Sequence, residues 1–463
     1  MTKTRSVALG LGLALLPAAV RADDWPGFRG QGGCGVSAET GLPARWGAEE
    51  NVAWKAKVPG YGWSSPVVWG DKVFVTTAVS DKQAKPGGFG GGFPGGGFPP
   101  RGGRRGSGGF PGGRGTGGRA PAAVYRWEVY CLNKADGKVL WQQVAREARP
   151  AVGVNSFNTY ATETPVTDGE RLYAYFGNTG VFCYDLAGKL LWKKGLGAYR
   201  MQLGHGTGSS PALGGERLFI QCDNEEKSFL VALDKKTGKE LWRVDRPERS
   251  TWSTPLVWKA KGRTEVVCGG ARKVRSYDPA TGKQLWELGG MTAACQASPV
   301  ADAERLYFGT SLRPSGAGPL YAVKAGAAGD ITLKEGEESN AGVAWVRARS
   351  GPALASPLLY QGYLYVLEQR GGFLSCYGAK TGQPAYSKQR LPGGRGFTAS
   401  PWAYEGKVFC LADDGKAFVV RAGPEYKLLG TNALNGETCW ATPAVAGGAL
   451  ILRSVDYLYC LKK

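Results

Sequence analysis

The stretch Ser210–Val244, SPALGGERLFIQCDNEEKSFLVALDKKTGKELWRV, holds one complete structural unit. Four apolar runs alternate with turns inside it. The first ends at Leu213, where Gly214-Gly215 supplies the positive φ that a tight hairpin requires. Arg217–Gln221 and Ser228–Leu233 follow as the second and third strands. The turn Lys236-Thr237-Gly238-Lys239 then leads into Glu240–Val244, which carries Trp242. Four short strands in one period are a propeller blade.

Working outward, the Ser-Pro that opens this unit recurs. Ser65-Pro66, Thr164-Pro165, Ser210-Pro211, Thr254-Pro255, Ser298-Pro299, Ser356-Pro357, Ser400-Pro401 and Thr442-Pro443 punctuate the chain, most of them about 44 residues apart. A fixed period of this length means a repeat architecture. Eight copies predict an all-β fold, an eight-bladed β-propeller of four-stranded blades around a central channel. Proline cannot donate to a ladder, so it suits the start of the innermost strand, whose channel edge is unpaired.

The turn-plus-Trp phrase recurs as Ala135–Trp141, Leu186–Trp192, Lys236–Trp242 and Ala280–Trp286, weakens to Lys380–Tyr386, and keeps Trp345 after a longer loop. Rings at this position, Trp54, Trp141, Trp192, Trp242, Trp286 and Trp345, are expected to dock each blade on its neighbour, each burying roughly 150–250 Å². The eighth copy stops after its third strand, Tyr457–Leu461. Asn51–Val58, with Trp54, is therefore expected to complete the last blade and seal the ring, removing exposed edges.

The 463 residues thus divide into a signal peptide at 1–22, a single propeller over 23–463, and an insert at 86–120 within blade one. Lys3 and Arg5 precede a short apolar run, and Val20-Arg21-Ala22 is a small-x-small cleavage site. The run is too short to span a bilayer, and no Cys follows it where a lipidated one would stand. These features predict a periplasmic or secreted protein with no transmembrane segment in the mature chain. In the insert Gly fills 18 of 35 positions, too many for a packed core, so a disordered loop is expected. The formal charge is +20, of which about +12 stays with the ring once the leader and the insert's five arginines are set aside. Such a surface favours anionic neighbours. An exported chain excludes nucleic acid as the natural partner.

Ten cysteines do not form a metal or disulfide pattern. Cys131, Cys183, Cys376 and Cys460 occupy one repeat position that Ala232 fills in the third copy, which marks a small buried residue. There is no CxxC, and His205 is the sole histidine, so no zinc site is expected. Asp223-Asn224-Glu225-Glu226 lacks EF-hand spacing and reads as a solvated hairpin.

The segments leading into each Ser/Thr-Pro belong at the channel mouth. They carry Trp63, Tyr160, Glu163, His205, Arg249, Trp252, Arg395 and Trp440, a set able to stack a planar acid or sugar and pair it with Arg249 or Arg395. The competing reading is that these side chains plug the channel. Nothing in the sequence organises a catalytic residue or a metal ligand there.

The phrases Leu230–Trp242 (LVALDKKTGKELW) and Val274–Trp286 (VRSYDPATGKQLW) resemble the PQQ-like propeller family, named for the pyrroloquinoline quinone enzymes. Asp24–Ser37 and Glu50–Val68 further resemble BamB-like exported propellers of the type common in Planctomycetes. The resemblance implies the fold over nearly the whole mature chain. Two functions are compatible with it. One is an exported, non-catalytic scaffold, monomeric, that binds an envelope protein or an acidic glycan without a cofactor. The other is a dehydrogenase that uses PQQ with calcium to oxidise an alcohol or sugar. Family enzymes often place adjacent cysteines beside the quinone, and this chain has no Cys-Cys dipeptide.

Overall fold

The computed structural model describes residues 24–87, 120–292, 295–311, 317–368, 371–394, 396–434 and 436–463. Residues 1–23, with the expected signal peptide, and nearly all of the insert fall outside them.

Eight antiparallel sheets form a ring. Blade three shows how the sequence builds one. Its strands are Ala212–Gly214, Arg217–Cys222, Phe229–Asp234 and Glu240–Asp245, joined in simple meander order. Leu218, Phe219, Ile220 and Leu230–Leu233 are fully buried, whereas the outermost strand has only half-buried and exposed residues. The two middle strands are therefore apolar on both faces, as sandwiched sheets require.

Closure is as expected. Val52–Lys57 pairs antiparallel with Tyr457–Leu461 and supplies the fourth strand of blade eight. Arg453 strengthens the same seam. Its buried Nη1 donates to the carbonyls of Ser64, at 3.0 Å, and Thr76, at 2.9 Å, in the entrance to blade one.

The small repeat position and the docking ring are one device. Cys131 lies opposite Trp141, Cys183 opposite Trp192, Ala232 opposite Trp242 and Cys460 opposite Trp54. A small residue there leaves room for the indole, which reaches the turn of the next blade. Trp192 Nε1 donates to Lys235 O at 3.1 Å. A Cβ on Gly238, whose φ is +71°, would stand 2.5 Å from the Trp192 ring. Glycine is needed there both for the left-handed backbone and for the close approach. Trp54, Trp141, Trp242 and Trp345 donate in the same way to Lys134, Leu186, Pro279 and Ala379.

Three junctions depart from this. Blade six carries Tyr386 opposite Cys376, and its ring meets Tyr426 edge-on at 5.6 Å. Trp286 enters the interface with blade five but turns its Nε1 to Glu265 of its own blade, at 2.7 Å. Blade five has no matching turn; instead Gly329–Asp330 pairs parallel with the outer edge of blade four. In blade seven the ring position is Gly430, opposite Val419. Trp46, ahead of the first blade in the chain, fills in: its ring lies 6.1 Å from Phe409, close to the 5.9 Å between Phe219 and Trp242 in blade three. Asn432 accepts the Trp46 N–H at 3.3 Å and donates to Ala44 O at 3.1 Å, which pins the segment in place.

That segment crosses one end of the ring. Trp25 bridges to Val68 and Val36 to Ala403. Pro26 O accepts from Thr167 N at 2.8 Å, and Arg29 Nη2 donates to Pro357 O at 2.7 Å. It thereby reaches blades one, two, six and seven at that end of the channel.

Candidate functional site

The channel holds a cup, with Phe28 of the crossing segment at its base. Its cavity measures about 220 Å³. All eight Ser/Thr residues of the Ser/Thr-Pro dipeptides line it: Ser65, Thr164, Ser210, Thr254, Ser298, Ser356, Ser400 and Thr442. They form a belt. Each backbone N–H donates to the hydroxyl of the next blade, from Ser65 to Thr164 and onward to Thr442, through seven bonds of 2.9–3.1 Å. A hydroxyl that accepts one such bond still has its own proton to donate. Proline explains why the inner strand begins there; the hydroxyl explains why Ser or Thr precedes it, a regularity visible in the sequence.

Above the belt the wall is aromatic. Trp63 stacks on Trp440 with centroids 4.9 Å apart. Trp252 meets His205 edge-on at 5.8 Å, and its Nε1 donates to Gly206 O at 2.7 Å. Trp63 Nε1 donates to Phe157 O at 2.9 Å. Asn155 and Asn158 tie the two mouth loops together, the first to His205 Nδ1 and the second to the carbonyls of His205 and Thr207. These bonds hold Trp63, His205 and Trp252 to one wall. Leu203, beside His205, is 70% exposed and has a left-handed φ of 51°, an uncommon conformation for a leucine.

Trp63, His205, Trp252 and Trp440 thus converge on the cup. Of the other expected residues, Tyr160, Glu163 and Arg249 do not line it. Tyr160 packs edge-on against Tyr125, centroids 4.9 Å apart, and supports the wall from behind. Arg249 is exposed and lines a separate surface groove with Glu225, Glu226 and Arg272; the expected pairing of an acidic ligand with Arg249 in the cup is corrected accordingly. Arg395 lies outside the described residues. Glu163 is buried just behind the belt, 1% exposed. Burial pushes its carboxyl up to about 7, against a partial offset from the Thr207 hydroxyl, and its Oε1 has no hydrogen-bond partner among the described residues.

Sequence reading missed a second such acid. Asp413 Oδ1 accepts the N–H of Thr398 at 3.0 Å, Oδ2 has no partner, and burial raises the group to about 6. It missed Phe28, Asn155, Asn158, Thr207 and Thr398 as well. Asp223 is not in a solvated hairpin. It is fully enclosed in an ion pair with Arg246 at 2.8 Å, reinforced by Gln221 and Thr251.

Among the described residues no Asp, Glu, Lys or Arg lines the cup, and no cluster of three His, Cys, Asp or Glu could hold a metal. No described helix is long and apolar enough to cross a membrane.

Comparison with known proteins places this geometry. A family model described as outer membrane protein assembly factor BamB matches residues 125–339 and 181–383, together more than half of the chain. No curated protein sequence matches. BamB from Moraxella catarrhalis superposes with a TM-score of 0.53 at 13% identity, over 72% of this chain and 91% of that one. A europium-containing methanol dehydrogenase gives 0.58 at 11%, over 94% and 91%. A quinohemoprotein alcohol dehydrogenase from Pseudomonas putida HK5 gives 0.56 at 12%, over 95% and 80%. At such identities the likeness is one of fold.

Proposed function

The chain belongs to the family of BamB-type PQQ-like propellers, and from that premise we propose that it is an exported, non-catalytic scaffold that holds an envelope protein or glycan by a group inserted into the hub cup. The observation that carries this reading is the chemistry of the cup: indoles, hydroxyls and amides converge there with no charged side chain among the described lining residues. Binding sites are concave and mostly apolar with a few fixed polar groups. The exposed Leu203 on the rim offers an apolar contact to whatever carries the inserted group.

The alternative, a PQQ- and calcium-dependent dehydrogenase, asks more of the site. Indole faces suit a planar quinone. Calcium takes six to eight oxygen ligands, carboxylates prominent among them, and the described lining supplies hydroxyls and amides but no carboxylate. Glu163 and Asp413 stand behind threonines in separate blades, two and seven. The residues present do not fit the metal, and no reaction step is derived through it.

The test is a titration of the purified mature protein with PQQ and calcium, followed by dye-linked oxidation of alcohols and sugars. The scaffold reading expects no turnover. It also expects binding on an array of envelope glycans and immobilised envelope proteins, lost in Trp252→Ala and weakened in the surface variant Leu203→Asp. Quinone-dependent turnover abolished by Trp252→Ala would overturn it.

A further inference from the structure

We propose that the group received by the hub cup is an alkylammonium ion, so that the ligand is an organic cation of the choline type. This rests on the cup being the binding site, and it names what the site selects.

Three features converge. The first is the wall. Phe28, Trp63, Phe157, Trp252 and Trp440 line one cavity, and aromatic faces carry a negative quadrupole that attracts alkylated ammonium groups in cage-like arrangements. The second is the charge behind that wall. Glu163 follows Thr162 and precedes Thr164, both lining residues, and is in contact with Thr207, which lines the cup too. Asp413 bonds to Thr398, another lining residue. Each acid is more than nine-tenths buried, keeps one oxygen without a partner, and makes no ion pair among the described residues. A buried carboxyl without compensation is costly. A cation in the cup would supply the missing opposite charge across one layer of threonine. The third is the placement of the buried cations. Arg453 is engaged by Ser64 and Thr76 at the blade eight–one seam, and Arg29 gives its Nη2 to the carbonyls of Pro357 and Cys34, while its Nε and Nη1 have no partner among the described residues. Neither lines the cup. The site therefore presents aromatic faces and acid-backed hydroxyls to its contents, which favours a positive ligand over an anionic one. The volume of about 220 Å³ lies below the range of roughly 300–1,000 Å³ usual for drug-sized ligands, and suits a compact head group.

The experiment compares choline with its uncharged isostere 3,3-dimethyl-1-butanol, titrated calorimetrically and by tryptophan fluorescence into the full mature chain. Choline is expected to bind about tenfold tighter or more, the scale of a desolvated cation–π contact. Trp252→Leu should erase that preference. Trp252→Phe, which keeps an aromatic face and guards against misfolding as the cause, should retain part of it. Glu163→Gln should reduce the preference without abolishing binding of the isostere. Phosphatidylcholine vesicles, tested by co-sedimentation, separate a lipid head group from a free solute as the source, and either result supports the proposal. Equal affinity for choline and the isostere, or saturation by neither and no vesicle binding, overturns it. Glycan or protein capture without cation preference would sink this inference alone, whereas quinone-dependent turnover would sink the scaffold reading beneath it.

Discussion

The junctions after blades one, two and three and the junctions after blades four and seven solve one problem in different ways. In the first group an indole lies on the glycine of the next blade's turn and donates to a carbonyl there. Everything needed is written within one repeat and its successor. At blade four the next turn lacks that form, and a two-residue strand is laid along the edge instead. At blade seven the ring is missing and Trp46 arrives from the far end of the chain. Regular seams are thus encoded locally. Irregular seams are repaired by an inserted strand in the next blade, as at blade four, or by a segment from the other end of the chain, as at blade seven, and neither repair can be read from the repeat.

The largest expected effect tests whether a borrowed ring equals a native one. Trp192→Ala should cost about 3–5 kcal/mol, the usual range for an aromatic removed from a packed site, and Trp46→Ala should cost the same if it serves blade seven as Trp192 serves blade two. Chemical denaturation of both variants decides the matter: a loss below about 1 kcal/mol for Trp46→Ala would show that blade seven does without a docking ring.

The next concerns a seam that is regular at its outer edge but carries Glu163 nearer the axis. Its folded carboxyl titrates at about 7 and its ordinary value is 4.5. The native state therefore holds the proton more tightly, and stability falls as pH rises from about 4.5 to about 7. The full loss is about 3 kcal/mol. Glu163→Gln should flatten that slope in denaturation curves recorded between pH 4.5 and 8. An unchanged slope would mean that the carboxyl is solvated in solution.

Glycines sharpen the contrast further. Gly238→Ala places a Cβ 2.5 Å from the Trp192 ring at a left-handed φ, and should cost about 1–3 kcal/mol. Gly430→Ala meets open space and should stabilise its strand by about 0.5 kcal/mol, since strand glycine is entropically unfavourable. The same substitution is thus expected to change sign between the two kinds of junction, as paired melting curves would show. The smallest effect belongs to blade four. Asp330→Ala removes exposed contacts, one to Lys273 at 3.5 Å and those its carboxylate accepts from the N–H, at 2.9 Å, and the hydroxyl of Thr332, and should shift stability by less than about 1 kcal/mol.

Most of the ring was legible because its signals are periodic. The phrase Lys236–Trp242 states a turn, a strand and a docking ring, and its recurrence gives blade number, register and the role of Trp54 in closure. The cup was legible only in part. Periodicity places a loop at the mouth but does not say which of its side chains turn inward, so Trp252 was found and Arg249 was misplaced three residues away. Asp223 was read as solvated because its partner, Arg246, lies 23 residues on at the end of another strand. Trp46 gave no signal, since nothing in its neighbourhood resembles the blade it completes.

The belt of hydroxyls has one more implication. Its seven bonds all run in the same sense around the axis, each blade leaning on the oxygen of the next. Replacing Thr164 by Ala would harm its own sheet little, yet strand the amide of Ser65 one sector earlier. Injury at the hub is handed backward along the chain, and a defect located by mutation is felt in the neighbour upstream of it.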